Sequence, residues 1–246
     1  MIEVNREPGL VRLTIRRPEK KNALTRAMYD DLSTAVDEAA ADRSVHAIVL
    51  SGCEGLFTAG NDLDDFRARA VDPDPQPSAG LAFIERLMHC DTPVIAAVEG
   101  IAIGIGTTLL FHCDIVVAGR SARFRTPFVD LGLSPEAAST VMGPLRMGYR
   151  RALDLLVFGD TLDGQAALDA GLASQVVSDG EAETVALERA RKLVKQPRDA
   201  LRASKRLMMD PWREPAKAAL ERERDVFAER LRSPECQAVL AGMGKR

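Results

Sequence analysis

The stretch Gly100 to Asp114, G-I-A-I-G-I-G-T-T-L-L-F-H-C-D, decides how the rest of the chain is read. It follows Val94 to Val98, an apolar run typical of a buried strand. Three glycines in seven residues then lead into an apolar helical segment. Glycine has no Cβ and tolerates unusual dihedral angles, so another group can approach the backbone closely. The first N–H groups of the helix that follows have no partner inside it. Two readings are open. The turn aims a backbone donor at a negatively charged oxygen, or it packs a strand tightly against a helix.

Working outward, a second glycine-bearing turn lies upstream in S-G-C-E-G-L-F-T-A-G-N-D-L-D-D-F (Ser51 to Phe66). It follows the short buried run Ala47 to Leu50 and ends in a short helix. Ile2 to Asn5 and Val11 to Ile15 flank Glu7-Pro8-Gly9 and read as a hairpin. Leu24, Met28, Leu32, Val36 and Ala39 recur at helical spacing, which predicts an amphipathic helix over 26–42 capped by Thr25. A helix over Gly80 to Cys90 and a strand over Ile115 to Ala118 follow. These intervals suit parallel crossovers and hence an α/β fold. Residues 67–79 carry three prolines among polar residues and read as a surface loop, inert or beside a site.

Downstream, residues 123–135 read as a loop with a turn at Leu131-Gly132. Helices are predicted at 136–143, 145–158 and 163–170, with a short strand at Val176-Val177. From Glu181 the chain reads as helices broken at Pro197, Pro211 and Pro215. There is no fixed-period repeat.

The 246 residues are 46% apolar and 28% charged, with a formal net charge of −3, so a sizeable core fits and no nucleic-acid footprint shows. The cysteines, Cys53, Cys90, Cys113 and Cys236, have no C-x-x-C spacing, which argues against a zinc knuckle or a disulfide framework and fits a reducing cytoplasm. The N-terminus lacks a signal-like apolar region, and no run reaches membrane-spanning length. A cytoplasmic protein with no membrane partner is the expectation.

Several catalytic patterns are missing. The glycines do not spell G-x-G-x-x-G, no Gly-Lys-Ser/Thr follows them, and no G-x-S-x-G elbow occurs. His46 and His112 sit beside apolar runs and read as packed residues, and metal-ligand spacing is absent. What stands out is that each glycine turn places one N–H after a glycine: Asn61 after Ala59-Gly60, and Ile105 after Gly104. If the turns converge, the two donors form an oxyanion hole.

Three long blocks carry a resemblance. They are F-T-A-G-N-D-L-D-D-F (Phe57 to Phe66), the stretch Gly100 to Asp114, and A-R-F-R-T-P-F-V-D-L-G-L-S-P-E-A-A-S (Ala122 to Ser139). The weaker R-P-E-K-K-N-A-L-T (Arg17 to Thr25) and D-G-Q-A-A-L-D-A-G-L-A (Asp163 to Ala173) keep the same order. Together they resemble the crotonase superfamily of acyl-CoA enzymes along nearly the whole chain. The resemblance implies a spiral of β-β-α turns over 1–190 and a helical C-terminal trimerisation region over 191–246. It implies assembly as a homotrimer or a dimer of trimers. It also implies an acyl-CoA substrate, with coenzyme A part of that substrate and no metal or organic cofactor.

By motif position, the Asn61 and Ile105 N–H groups hold the thioester oxygen. Lys20, Ala23 and Leu24 lie along the CoA moiety, and Ala59, Gly60, Asp62, Leu63 and Gly104 border the substrate. The hydratases of this superfamily carry two glutamates, whose places are here taken by Thr108 and Phe128. The wording around S-P-E is similar to that of peroxisomal-type 3,2-enoyl-CoA isomerases, in which one glutamate moves the proton; that residue is Glu136. Read from local sequence alone, Ser134 is a helix cap, Pro135 the first helical residue and Glu136 an acid favoured by the helix dipole. The rival acids are Asp62, Asp64, Asp65 and Asp130. Asp62 and Asp64 can serve as caps, Asp130 as a second site carboxylate or a loop brace, and Asp114 as a local structural group. The expected reaction converts 3-enoyl-CoA to trans-2-enoyl-CoA. The alternatives are another crotonase-type reaction, such as hydration with an unusual acid, and a non-catalytic acyl-CoA-binding subunit.

Overall fold

The computed structural model describes residues 1–62, 64–65 and 78–242. Leu63, Phe66 and nearly all of the proline-rich segment lie outside these residues. The strands are β1 (Ile2–Glu7), β2 (Leu10–Ile15), β3 (Ala47–Ser51), β4 (Val94–Val98), β5 (Ile101–Ile103), β6 (Ile115–Gly119), β7 (Arg123–Arg125), β8 (Leu162–Asp163) and β9 (Gln175–Val177). The helices are α1 (Arg26–Ala41), α2 (Ala79–His89), α3 (Ile105–Thr108), α4 (Ser139–Met147), α5 (Tyr149–Leu156), α6 (Gly164–Ala170), α7 (Ala182–Val194), α8 (Arg198–Leu231) and α9 (Pro234–Gly242).

A six-stranded sheet runs in the order β1-β2-β3-β4-β6-β9. The β1–β2 hairpin is antiparallel and every later pair is parallel. β3 and β4 are buried along their whole length, because helices cover both faces. On one face lie α1 and α2, presenting Met28, Leu32, Val36, Ile84 and Leu87. On the other lies α7, whose Ala182, Ala186 and Ala190 are fully buried against Val49, Ile95, Ala97 and Val117. Alanines four apart share one helix face, so this helix can approach the sheet closely.

A second, smaller sheet runs β5-β7-β8, and single bridges extend it from Ala102 to Thr58 and from Asn61 to Leu24. Successive turns of the chain thus add a strand to the large sheet and an extended segment to the small one, the spiral of β-β-α turns that the resemblance implied. The ends of the small-sheet segments carry the site.

The structure corrects the sequence reading in four places. β5 and β7 were not expected; each is three residues long, too short for an alternation signal. The helix predicted from 136 begins at Ser139, so neither Ser134 nor Pro135 starts it. Ala137 and Ala138 precede it with φ of 68° and 55°, conformations no helix contains. The break predicted near Pro144 falls at Gly148, with Pro144 inside α4. Finally, α8 runs unbroken through Pro211 and Pro215. Both prolines are exposed, and the carbonyl freed by Pro211 belongs to Leu207, itself 75% exposed, so water can satisfy it. Ion pairs hold the helix on either side: Lys205 Nζ to Asp114 Oδ2 at 2.7 Å and Arg213 to Asp91 at 2.6 Å. Among the described residues, no helix is long and apolar enough to cross a membrane.

Candidate functional site

Four segments meet around one cavity of about 920 Å³. The first is the loop before α1. Lys21 and Asn22 both have positive φ there, and the fully buried Asn22 side chain pins the loop down. Its amide donates to the Cys53 and Leu56 carbonyls and accepts from Arg17 N–H. The second is the Ala59–Asp62 turn. It pairs with the loop through Ala59 N to Lys21 O at 3.0 Å, Leu24 N to Gly60 O at 2.8 Å and Asp62 N to Leu24 O at 2.9 Å.

The third segment is the glycine turn between β5 and α3. Thr58 and Ile103 exchange backbone bonds with one another's strand, which brings the two glycine turns side by side. A Cβ added to Gly60, whose φ is +90°, would lie 2.5 Å from Ile103 O and 3.9 Å from Ile105 N. Only glycine lets the first turn pass so near the second. Among the described residues, neither the Asn61 N–H nor the Ile105 N–H donates to a protein acceptor. In the Leu24–Asn61 bridge the neighbouring Gly60 carbonyl and Asp62 N–H make the bonds, which turns Asn61 N–H away from the loop. Both residues border the cavity, so the turns present two donors to one space. Such a pair can hold an oxygen that gains negative charge.

The fourth segment carries Glu136. Its side chain is 5% exposed and borders the same cavity. The following αL alanines cost on the order of 1 kcal/mol each, and two neighbours hold them. His112 Nε2 donates to Ala137 O at 2.7 Å, and the buried Glu223 of α8 accepts from Thr140 N–H at 2.8 Å. The Ala138 and Ser139 N–H groups face the same Glu223 carboxylate. Burial raises the Glu223 carboxyl above its ordinary value, against these hydrogen bonds. Burial also lowers His112 to about 4, so its ring is neutral. Glu136 is therefore set by a strained, braced turn and not by a helix N-terminus.

Of the residues singled out from sequence, Lys20, Ala23, Ala59, Gly60, Asn61, Asp62, Gly104, Ile105 and Glu136 border the cavity. Leu24 pairs with Asn61 through its backbone behind them, and Leu63 lies outside the described residues. Asp62 is a structural acid. Its burial favours the neutral form, but Arg17 and the Asp64 and Asp65 N–H groups outweigh that and keep it below the ordinary carboxylate value. Asp130 pairs with Arg125 at 2.7 Å, half exposed, at the cavity edge. Asp114 accepts from Val94 N–H and Lys205, away from the cavity. Thr108 is fully buried and does not border the cavity. Phe128 does border it, edge-on to Phe227 of α8 with ring centroids 6.5 Å apart. Among the described residues, no three His, Cys, Asp or Glu side chains group as metal ligands.

Sequence reasoning missed Phe227, Leu240 and, above all, Tyr29. The Tyr29 hydroxyl donates to Asn61 Oδ1 at 2.7 Å, and Asn61 Nδ2 donates to Glu136 Oε1 at 3.4 Å. The signal available was a tyrosine on the buried stripe of α1, since a buried hydroxyl needs a partner. Burial, with the nearby Glu136 charge, holds the Tyr29 phenol well above its ordinary value, so it stays protonated.

The sequence matches the family described as enoyl-CoA hydratase/isomerase over residues 5–244. It is 34% identical over 239 residues to rat (Rattus norvegicus) enoyl-CoA delta isomerase 2, covering 96% of this chain and 61% of that protein. It is also 34% identical over 229 residues to the 2,3-dehydroadipyl-CoA hydratase of Escherichia coli K12, covering 91% of this chain and 88% of the relative. The solved structure of Pseudomonas aeruginosa OdaA superposes with a TM-score of 0.95 at 41% identity, covering 100% of this chain and 99% of that one.

Proposed function

The chain belongs to the enoyl-CoA hydratase/isomerase family, and on that premise we propose that it converts a 3-enoyl-CoA to the trans-2-enoyl-CoA. One observation carries the reading. Glu136 shares the cavity with the two N–H turns, while Thr108 and Phe128 stand where the hydratases of the superfamily carry glutamates. The hydroxyl and the phenyl ring offer no carboxylate to activate water.

The chemistry follows from the arrangement. Glu136 takes a proton from C2, and the C2–H electron pair forms the C1–C2 double bond as charge moves to the thioester oxygen. The Asn61 and Ile105 N–H groups stabilise that oxyanion, each donor being worth about 10²–10³ in rate. The oxygen then re-forms the carbonyl, the C1–C2 pair shifts to C2–C3, and the C3–C4 pair takes the proton back from Glu136 at C4. One carboxylate serves both steps provided that it lies over one face of the planar dienolate, within reach of both C2 and C4. Lys20 and Ala23 at the cavity mouth line the path of the CoA moiety, and Phe128, Phe227, Leu133 and Leu240 pack the acyl chain.

Hydration is the second reading. The half-exposed Asp130 borders the same cavity, and the E. coli relative is named a hydratase. We further propose self-assembly as a trimer or a dimer of trimers through the C-terminal helices, where Leu207 and Met208 are 75% and 70% exposed. Parallel assays of 3-hexenoyl-CoA isomerisation and crotonyl-CoA hydration test the activity. Faster isomerisation is the expected result. Faster hydration overturns it, and CoA-ester binding without turnover points to a non-catalytic subunit.

A further inference from the structure

The hydrogen-bonded chain Tyr29–Asn61–Glu136 is not explained by the need for a base and two N–H donors. We propose that Tyr29 is a positioning residue: its hydroxyl fixes the Asn61 amide with the NH₂ group toward Glu136, which orients the Glu136 carboxylate through Oε1. This rests on Glu136 being the base.

The argument starts from the inventory of donors and acceptors. An ionised carboxylate only accepts, and an amide has one accepting and one donating end. With Asn61 turned the other way, its oxygen would face the Glu136 carboxylate and repel it. Nothing in Asn61 alone selects the productive orientation. The Tyr29 hydroxyl, 2.7 Å from Oδ1, does so, because a phenol that keeps its proton makes its neighbour the acceptor. Tyr29 is 3% exposed and lies on α1, a helix packed on the sheet, so its hydroxyl has a fixed position. The 3.4 Å bond from Nδ2 then ties Glu136 Oε1 to the oriented amide.

Asn61 thereby links both halves of the chemistry, since its N–H faces the oxyanion position while its side chain orders the base.

Other charges around the cavity are largely paired. Asp62 is matched by Arg17, Asp130 by Arg125, and Lys20 lies 4.0 Å from Asp64. Glu19 and Lys21 are exposed at the rim, and His112, behind Ala137, is neutral. The Asn61 amide donates to Glu136 Oε1 and so favours its ionised form directly.

Tyr29→Phe tests the inference. The pH dependence of kcat/KM for 3-hexenoyl-CoA is measured beside a ¹³C NMR titration of glutamate-labelled, substrate-free protein, with Glu136→Gln to assign the resonance. The expected result is an upward shift of about one pH unit in both the Glu136 titration and the acid limb, with kcat about tenfold lower and KM within about twofold. Asn61→Leu keeps the backbone N–H and should shift the titration at least as far. Adding Tyr29→Phe to it should move nothing more. An unmoved titration in Tyr29→Phe, or additive shifts in the double variant, overturns the inference. The NMR arm needs no turnover, so absence of isomerisation would count against the proposed reaction while the titration still judges Tyr29.

Discussion

Replacing Gly60 by alanine drives a methyl group into the wall shared by the two N–H turns. The new Cβ would lie 2.5 Å from Ile103 O, where an ordinary carbon–oxygen contact is about 3.3 Å. The obstacle is backbone, so the Ile103 carbonyl must retreat by roughly 0.8 Å. Ile103 precedes Gly104 and Ile105 in the turn, and its movement carries the Ile105 N–H with it. Misplacing a catalytic group by about 1 Å costs about 10²-fold, near the lower bound for losing one oxyanion donor. The φ of +90° adds a backbone penalty of about 1–2 kcal/mol. Gly60→Ala is therefore expected to lower kcat for 3-hexenoyl-CoA about 100-fold and to depress Tm modestly. Gly180→Ala is the matched control. Its φ is +86°, but a Cβ there meets no atom within 4 Å, so it carries the same backbone penalty with full activity. A Gly60→Ala enzyme within about threefold of wild type would refute the role of the paired turns.

Three further outcomes are expected. Because burial lowers His112 from 6.5 to about 4, the native state binds fewer protons than the unfolded chain between those values. Its contribution is complete above pH 6.5 and lost as pH falls toward 4, by roughly 3 kcal/mol. Urea unfolding at pH 7 and pH 4.5 should show a smaller acid loss in His112→Gln, and an unchanged difference contradicts the reasoning. Lys205→Met leaves Asp114 without its cation and should cost about 2 kcal/mol, partly restored by adding Asp114→Asn; urea unfolding of the single and double variants reads both. The Thr108 Oγ has no hydrogen-bond partner among the described residues. Thr108→Val should gain about 0.5–1 kcal/mol while isomerisation stays within about twofold, and a collapse in activity would give the hydroxyl a role.

What could be read from the sequence followed the strength of each local signal. The buried runs of β3 and β4 and the stripe of α1 are long enough for their period to show, and Thr25 caps α1 as expected, accepting from Met28 N–H. Gly60 and Gly104 announced turns with free donors, but their proximity depends on the Thr58–Ala102 bridge between segments far apart in sequence. Ser134-Pro135-Glu136 reads locally as a helix start. The His112 and Glu223 contacts hold Ala137 and Ala138 in αL and move the helix three residues on. Tyr29 was hidden for a related reason: its partner Asn61 lies 32 residues away, and α1 needs an apolar residue at that position in any case. Pro211 and Pro215 misled because distant ion pairs from α8 outweigh a local breaker.

The central claim is that a single carboxylate moves the proton. The most direct measurement is turnover of 3-hexenoyl-CoA by Glu136→Gln beside its affinity for a CoA ester. The account predicts at least a ~10³-fold loss of kcat with affinity within about threefold of wild type. Turnover within about tenfold of wild type, at unchanged affinity, would contradict it and move the base elsewhere, with Asp130 next in line.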